Sequence, residues 1–309
     1  MTLRSRLKGR PVIYEIVPPR RDTSRFNTEL QGVEEVLQDS RIAAVNIPEL
    51  FNRTGSEGLG AYYPATIPPE EYALLIKEFK EPMVNLVAPR LEKEAFLDRA
   101  RRALHEYGIH NLVVVGKERR EDLLPGPSAV EGLRLLRPEK RDGVALGGIC
   151  IFNRESATPA EYGGGSSKLS EASRVLTKAG AGCDFVTSQI TFDPIQAVDF
   201  LASYQALCDT KGTAPLTVFI SLTTVPTEGI LSLLEDLDVF IPASVKKRLQ
   251  SGGNMGKKSV GIATDVFSRV IADFEKRGIQ VPIGLQIEQI GVKNDELSLS
   301  LLDRVYGLL

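Results

Sequence analysis

Short apolar runs rich in β-branched residues alternate along the chain with longer segments in which apolar residues recur every three or four positions. The runs predict eight strands. They lie at 12–18 (V-I-Y-E-I-V-P), 43–47 (A-A-V-N-I), 83–88 (M-V-N-L-V-A), 111–116 (N-L-V-V-V-G), 144–151 (V-A-L-G-G-I-C-I), 184–191 (D-F-V-T-S-Q-I-T), 216–222 (L-T-V-F-I-S-L) and 281–288 (V-P-I-G-L-Q-I-E). Helical patterns fall between them at 28–38, 68–80, 91–107, 128–137, 167–180, 194–209, 226–236 and 260–278, and a last one closes the chain at 294–308. Pro68-Pro69-Glu70-Glu71 supplies proline and acids to a first helical turn, and Ser166 and Ser167 are candidate caps for the fifth helix.

Strands separated by helices must pair in parallel, because each crossover spans a helix. A doubly wound open sheet shares this pattern, but no G-x-G-x-x-G follows a strand, and the first strand ends in Pro18-Pro19-Arg20. Eight βα units in 309 residues therefore favour a closed (β/α)8 barrel, the TIM barrel. No Ser/Gly-rich linker divides the chain, so the expectation is one domain over 1–309.

Composition removes several classes of function. The net charge of −2 argues against a nucleic-acid partner. No stretch approaches the roughly 20 apolar residues of a membrane span and no signal-peptide core is evident, so a cytoplasmic protein without a membrane partner is expected. Cys150, Cys183 and Cys208 are too few for a disulfide framework or a four-cysteine cluster. With only His105 and His110, a histidine metal site is not expected. The chemistry left over rests on carboxylates, amides and a cofactor.

In such a barrel, polar residues late in the strands face the mouth where reactions occur. Glu15 interrupts the first apolar run and is soon followed by two prolines. A carboxyl that loses hydration there should hold its proton more tightly and serve as a general acid, unless it is an ion-pair partner inside the barrel. Gln189, late in the sixth strand, offers donor and acceptor to a heterocycle edge, or to neighbouring backbone. Gln286 and Glu288 share one face of the eighth strand, at a wet mouth or simply an exposed strand end. Asn46, Asn85 and Glu118 place one polar group at the ends of strands two, three and four. Gly163, Gly164 and Gly165 lie in a loop that opens into a helix, suited either to a phosphate or to a flexible connection, and Lys178 on that helix adds a positive charge.

Three features together resemble the methylenetetrahydrofolate reductase family: Y-E-I-V-P-P-R at 14–20, K-A-G-A-G-C-D-F-V-T-S-Q-I-T-F-D at 178–193, and the order of the eight strands. The resemblance implies a flavin-dependent barrel that reduces 5,10-methylenetetrahydrofolate to 5-methyltetrahydrofolate. It implies Glu15 as general acid and Gln189 as the residue gripping the pterin. Lys178 would contact the flavin phosphates, Glu118 would lie near flavin and folate, and Asn46 and Asn85 would contact the flavin. Gln286 and Glu288 are expected on the substrate side. Lys178 stands roughly 16 Å from the glycine loop at 1.5 Å per helical residue, a span that favours FAD over FMN. NAD(P)H or an electron-carrier protein would be the donor, and the partner either a second copy of the chain or an electron-transfer subunit.

The chain departs from the family after strand four, where Gly116-Lys117-Glu118 stands in place of arginine-glycine-aspartate. After strand five, Asn153-Arg154-Glu155 replaces a histidine-proline pair, and the last strand reads Q-I-E-Q-I in place of an arginine. The alternatives are a methylenetetrahydromethanopterin reductase with a deazaflavin carrier, and a pterin-binding barrel that transfers methyl groups or only docks to an enzyme.

Overall fold

Eight parallel strands pair in chain order around a closed barrel in the computed structural model, which describes residues 2–19, 32–34, 36–50, 66–117, 124–154, 170–290 and 295–309. The strands are β1 (Val12–Glu15), β2 (Ile42–Ile47), β3 (Pro82–Val87), β4 (Asn111–Val115), β5 (Ala145–Cys150), β6 (Phe185–Ser188), β7 (Thr217–Thr223) and β8 (Ile283–Glu288). All eight expected strands are present, and the (β/α)8 barrel is the fold.

The chain divides into two compact units. The first comprises Met1–Leu7, Pro11–Ile149 and Lys178–Phe185, and the second comprises Lys8–Arg10, Cys150–Thr177 and Val186–Leu309.

In the first unit, α1 (Leu3–Arg6) precedes β1, and α2 (Pro69–Ile76), α3 (Lys93–Arg101) and α4 (Ala129–Leu136) lie between the later strands. Pro69 sits in the first turn of α2 with Glu70 and Glu71, as their sequence positions predict. Ser128 and Glu131 form a reciprocal capping box that fixes the start of α4. A π-helical turn, Arg102–Glu106, ends the segment that the sequence reads as one helix. Helix and strand approach closely where α4 crosses β4: a Cβ added at Gly132 would lie 2.9 Å from Val114 Cγ1. Side chains alternate along a strand, so Val114 faces the helices and Val113 faces away from them.

In the second unit, α6 (Pro194–Lys211) follows β6, while α7 (Glu228–Asp236), α8 (Ala243–Gln250) and α9 (Met255–Lys276) separate β7 from β8, and α10 (Asp295–Val305) follows β8. Asp193 caps α6, and Asn254 caps α9 by accepting from Lys257 N–H. That cap starts α9 five residues before the expected helix at 260. The sequence pattern misses α8 because only Leu249 is buried among its eight residues. A further helix, α5 (Glu171–Gly180), spans the boundary, with Ser170 Oγ accepting from Ser173 N–H at 3.2 Å. Ser166 and Ser167, expected to cap it, lie outside the described residues.

β1, β4, β5, β6 and β8 are shorter than expected, and β1 and β6 lose the most, for local reasons. The β1 ladder stops because Pro18 and Pro19 have no N–H to donate. β6 stops at Ser188 because Ser188 Oγ and Thr191 Oγ1 both donate to the Gln189 carbonyl, at 2.8 and 3.2 Å, and turn the chain. No helix among the described residues is long and apolar enough to cross a membrane.

Candidate functional site

Glu15 is the last residue of β1, is 6% exposed, and pairs in register with Asn46 of β2. Residues paired across parallel strands project to the same side, so the two side chains meet: Asn46 Nδ2 donates to Glu15 Oε2 at 2.8 Å. This bond fixes the amide and leaves Asn46 Oδ1 buried with no hydrogen-bond partner among the described residues. Asn46 also pairs with Met83, and Asn85 lies two residues farther along β3 on the same face. Asn85 pairs with Val113, the residue that faces away from the helices, so Glu15, Asn46 and Asn85 all share that non-helical face. Asn85 Oδ1 is a second buried acceptor without a partner among the described residues. This row contains a carboxyl and two open amide oxygens, and it suits a ligand edge rich in N–H donors.

Beside this row lies an ion cluster that the sequence does not reveal. Arg99 of α3 donates through Nη1 to Glu49, and through Nε and Nη2 to Glu70 at 2.5 and 2.8 Å. Glu49 also accepts from Val87 N–H at 2.6 Å, which ties the segment after β2 to the end of β3. Burial raises the Glu70 pKa, but the hydrogen bond and charge of Arg99 outweigh it and hold the carboxyl below its ordinary range.

In the second unit, Gln286 and Glu288 of β8 share a face as expected, and Gln286 Nε2 donates to Glu288 Oε1 at 3.1 Å. Ser221 and Thr223 are their register partners on β7. Burial pushes the Glu288 carboxyl up to about 7, against the opposing pull of hydrogen bonds from Ser221 and Gln286. Ser221 joins a buried mesh: its Oγ donates to the Ser188 carbonyl at 2.8 Å and its N–H donates to Ser188 Oγ at 2.9 Å. Ser188 Oγ lies 3.3 Å from Thr191 Oγ1.

Gln189 follows β6, half-buried, with its Nε2 donating to the Leu237 carbonyl at 2.9 Å. It lines a shallow recess open to solvent, with apolar walls from Ile151, Phe152, Phe192 and Phe240 and polar groups from Asn153, Asp193 and Gln196. The amide nitrogen is therefore held by backbone, and the side-chain oxygen is what Gln189 can offer a ligand.

Lys178 lies in the last turn of α5, and its ammonium donates to the Ile149 carbonyl near the end of β5. Glu118, Gly163, Gly164 and Gly165 fall outside the described residues. Cys183 is buried, and that burial pushes its thiol up to about 12, which leaves it without a thiolate at neutral pH. No group of three or more histidine, cysteine, aspartate or glutamate side chains suited to a metal occurs among the described residues.

The stability of the Glu288 region should depend on pH. A carboxyl whose folded pKa lies above its unfolded value favours the folded state while protonated, and this advantage is lost as pH rises from about 4.5 to about 7. Glu288→Gln should therefore stabilise the protein at pH 8, by roughly 3 kcal/mol at most from about 1.4 kcal/mol per unit, and leave it unchanged at pH 4. Urea unfolding at both pH values checks this; an equal effect at the two would remove the titration from the account.

No protein-family model and no curated protein sequence matches the chain. Among solved structures, an uncharacterized protein from Clostridium thermocellum, described as binding two copies of 5-methyl-5,6,7,8-tetrahydrofolic acid, aligns over 99% of this chain and 100% of its own, with a TM-score of 0.77 and 19% identity. A proposed deoxyribose-phosphate aldolase from Toxoplasma gondii ME49 in its apo form covers 98% of this chain and 97% of its own, at a TM-score of 0.47 and 11% identity. The first likeness is one of fold.

Proposed function

We propose that this barrel binds a reduced folate and reduces 5,10-methylenetetrahydrofolate to 5-methyltetrahydrofolate, with FAD as its cofactor. The observation that carries the reading is the buried Glu15 carboxyl at the end of β1, held in place by the Asn46 amide. The methylene bridge opens when the departing nitrogen receives a proton. Glu15, protonated, is the donor, and the bond from Asn46 aims it. Support comes also from the Clostridium thermocellum protein, whose described ligand is the product of this reaction and whose chain shares the barrel from end to end.

The described residues fit the ring of a flavin: Asn46 Oδ1 and Asn85 Oδ1 are buried acceptors in want of a donor, and the ring carries an N–H. Lys178, anchored by the Ile149 carbonyl, brings a fixed charge for the phosphates. Bound and reduced, FAD would supply the hydride, and NAD(P)H or an electron carrier would reduce it again. Gln189 offers its oxygen to the pterin, so Gln189→Ala should raise the pterin KM while leaving flavin reduction unchanged. Loss of one neutral hydrogen bond costs on the order of 1 kcal/mol, or about fivefold. A parallel fall in flavin reduction would move Gln189 to the flavin side.

The visible spectrum of the purified protein tests the reading, before and after NADH, NADPH and a reduced low-potential donor are added. A flavin band bleached by one of them supports reduction. A protein that binds 5-methyltetrahydrofolate but takes up no flavin is instead a methyl-carrying or docking barrel.

A further inference from the structure

The end of β8 holds a hydrogen-bonding edge with one position open. Gln286 is 2% exposed, and its Nε2 is committed to Glu288 Oε1, so its Oε1 is turned away and has no partner among the described residues. A buried acceptor left unpaired is costly, and proteins keep such groups chiefly where something else completes them. Its neighbour is equally specific. Glu288 Oε1 receives the Gln286 amide, and the Thr223 hydroxyl ties the Glu288 backbone by donating to its carbonyl at 2.7 Å. Ser221 has a single proton, which it gives to the Ser188 carbonyl at 2.8 Å, so it can only share that donor with Glu288. Burial keeps the Glu288 carboxyl protonated over much of the range to about pH 7. With Oε1 accepting from Gln286, the proton sits on Oε2, the oxygen not committed to Gln286, where a ligand carbonyl competes for it with Ser221 Oγ.

The edge thus reads acceptor, then donor, on two residues of one strand face. The complement is a ring carrying an N–H beside a C=O, the lactam edge common to pterins and flavins. We propose that Gln286 Oε1 and the Glu288 carboxyl recognise the lactam edge of a fused heterocycle, the Gln286 oxygen accepting the ring N–H and Glu288 donating to the adjacent carbonyl. The inference rests on the folate and flavin reading and assigns to these two residues the part of the ring they hold. Glutamine at 288 would reproduce the pattern, because its Oε1 can accept from Gln286 and its Nε2 can donate; leucine would reproduce neither.

Binding of small rings to the intact protein tests it by calorimetry. The probes are 6-methylpterin and lumiflavin, each beside its N3-methyl derivative, which lacks the lactam N–H. The wild type should bind at least one parent ring tenfold or more tighter than its N3-methyl form, and the parent whose preference is lost in Gln286→Leu names the ring. Gln286→Leu and Glu288→Leu should each lose tenfold or more for that ring, and Glu288→Gln should stay within about threefold of the wild type. Equal binding of the N3-methyl ring overturns the inference, and this comparison needs no variant. So does Gln286→Leu binding as well as the wild type. If neither parent ring nor 5-methyltetrahydrofolate binds, the folate reading falls with it; if 5-methyltetrahydrofolate binds and ignores both leucine variants, only this inference fails.

Discussion

Glu15→Gln should leave the fold and the flavin in place and slow the methylene-folate half-reaction by about 10²–10⁴-fold, the usual contribution of a general acid. The substitution is mild in structure: a glutamine carbonyl at 15 can still accept from Asn46 Nδ2, which now meets Glu15 Oε2 at 2.8 Å. What it removes is the transferable proton. Flavin reduction by the donor does not require that proton, so the two half-reactions should separate. Rapid mixing of reduced enzyme with methylenetetrahydrofolate reads the second directly. Near wild-type reoxidation in Glu15→Gln would take the acid role from Glu15.

Arg99→Ala should destabilise the protein by about 3–5 kcal/mol, the cost of breaking a buried ion cluster by removing one partner. The Glu49 and Glu70 side chains that Arg99 bridges are only 1% and 13% exposed, so water does little to replace the lost charge. The two carboxylates would then lose the guanidinium that bridges them. Although burial raises the Glu70 pKa, Arg99 lowers it further, so this contribution is present above the unfolded pKa and is lost as pH falls through the lower folded value. The penalty in Arg99→Ala should therefore be larger at pH 7 than at pH 3. Urea unfolding at both pH values checks the magnitude and the sign. A loss under about 1 kcal/mol at pH 7, typical of exposed pairs, would mean that the cluster is solvated.

The barrel is legible in the sequence because its strands are short β-branched runs and its helices carry periodic apolar faces. It fails where pattern is weak: α8 buries only Leu249, and the start of α9 is hidden in a glycine-rich stretch until Asn254 is recognised as its cap. Polar residues that interrupt apolar runs give themselves away, as Glu15, Asn46, Gln286 and Glu288 do. The mesh of Ser188, Thr191 and Ser221 does not, since small hydroxyls are ordinary in strands and only register brings them together. Arg99, Glu49 and Glu70 are separated by up to 50 residues, and no local spacing links them. Gln189 is read from the sequence as lying late in the sixth strand; it falls just after β6, and its amide nitrogen bonds a backbone carbonyl 48 residues away, which only the fold reveals.

A single turnover reads the proposed folate reduction without a steady-state assay. The purified protein, loaded with FAD and reduced without oxygen, is mixed with methylenetetrahydrofolate, and the folates are resolved by mass spectrometry. About one 5-methyltetrahydrofolate should form per reduced flavin as the flavin reoxidises, with the yield collapsing over the same interval in Glu15→Gln. Binding of the folate without any 5-methyltetrahydrofolate formed, while the flavin stays reduced, would contradict the proposed reduction.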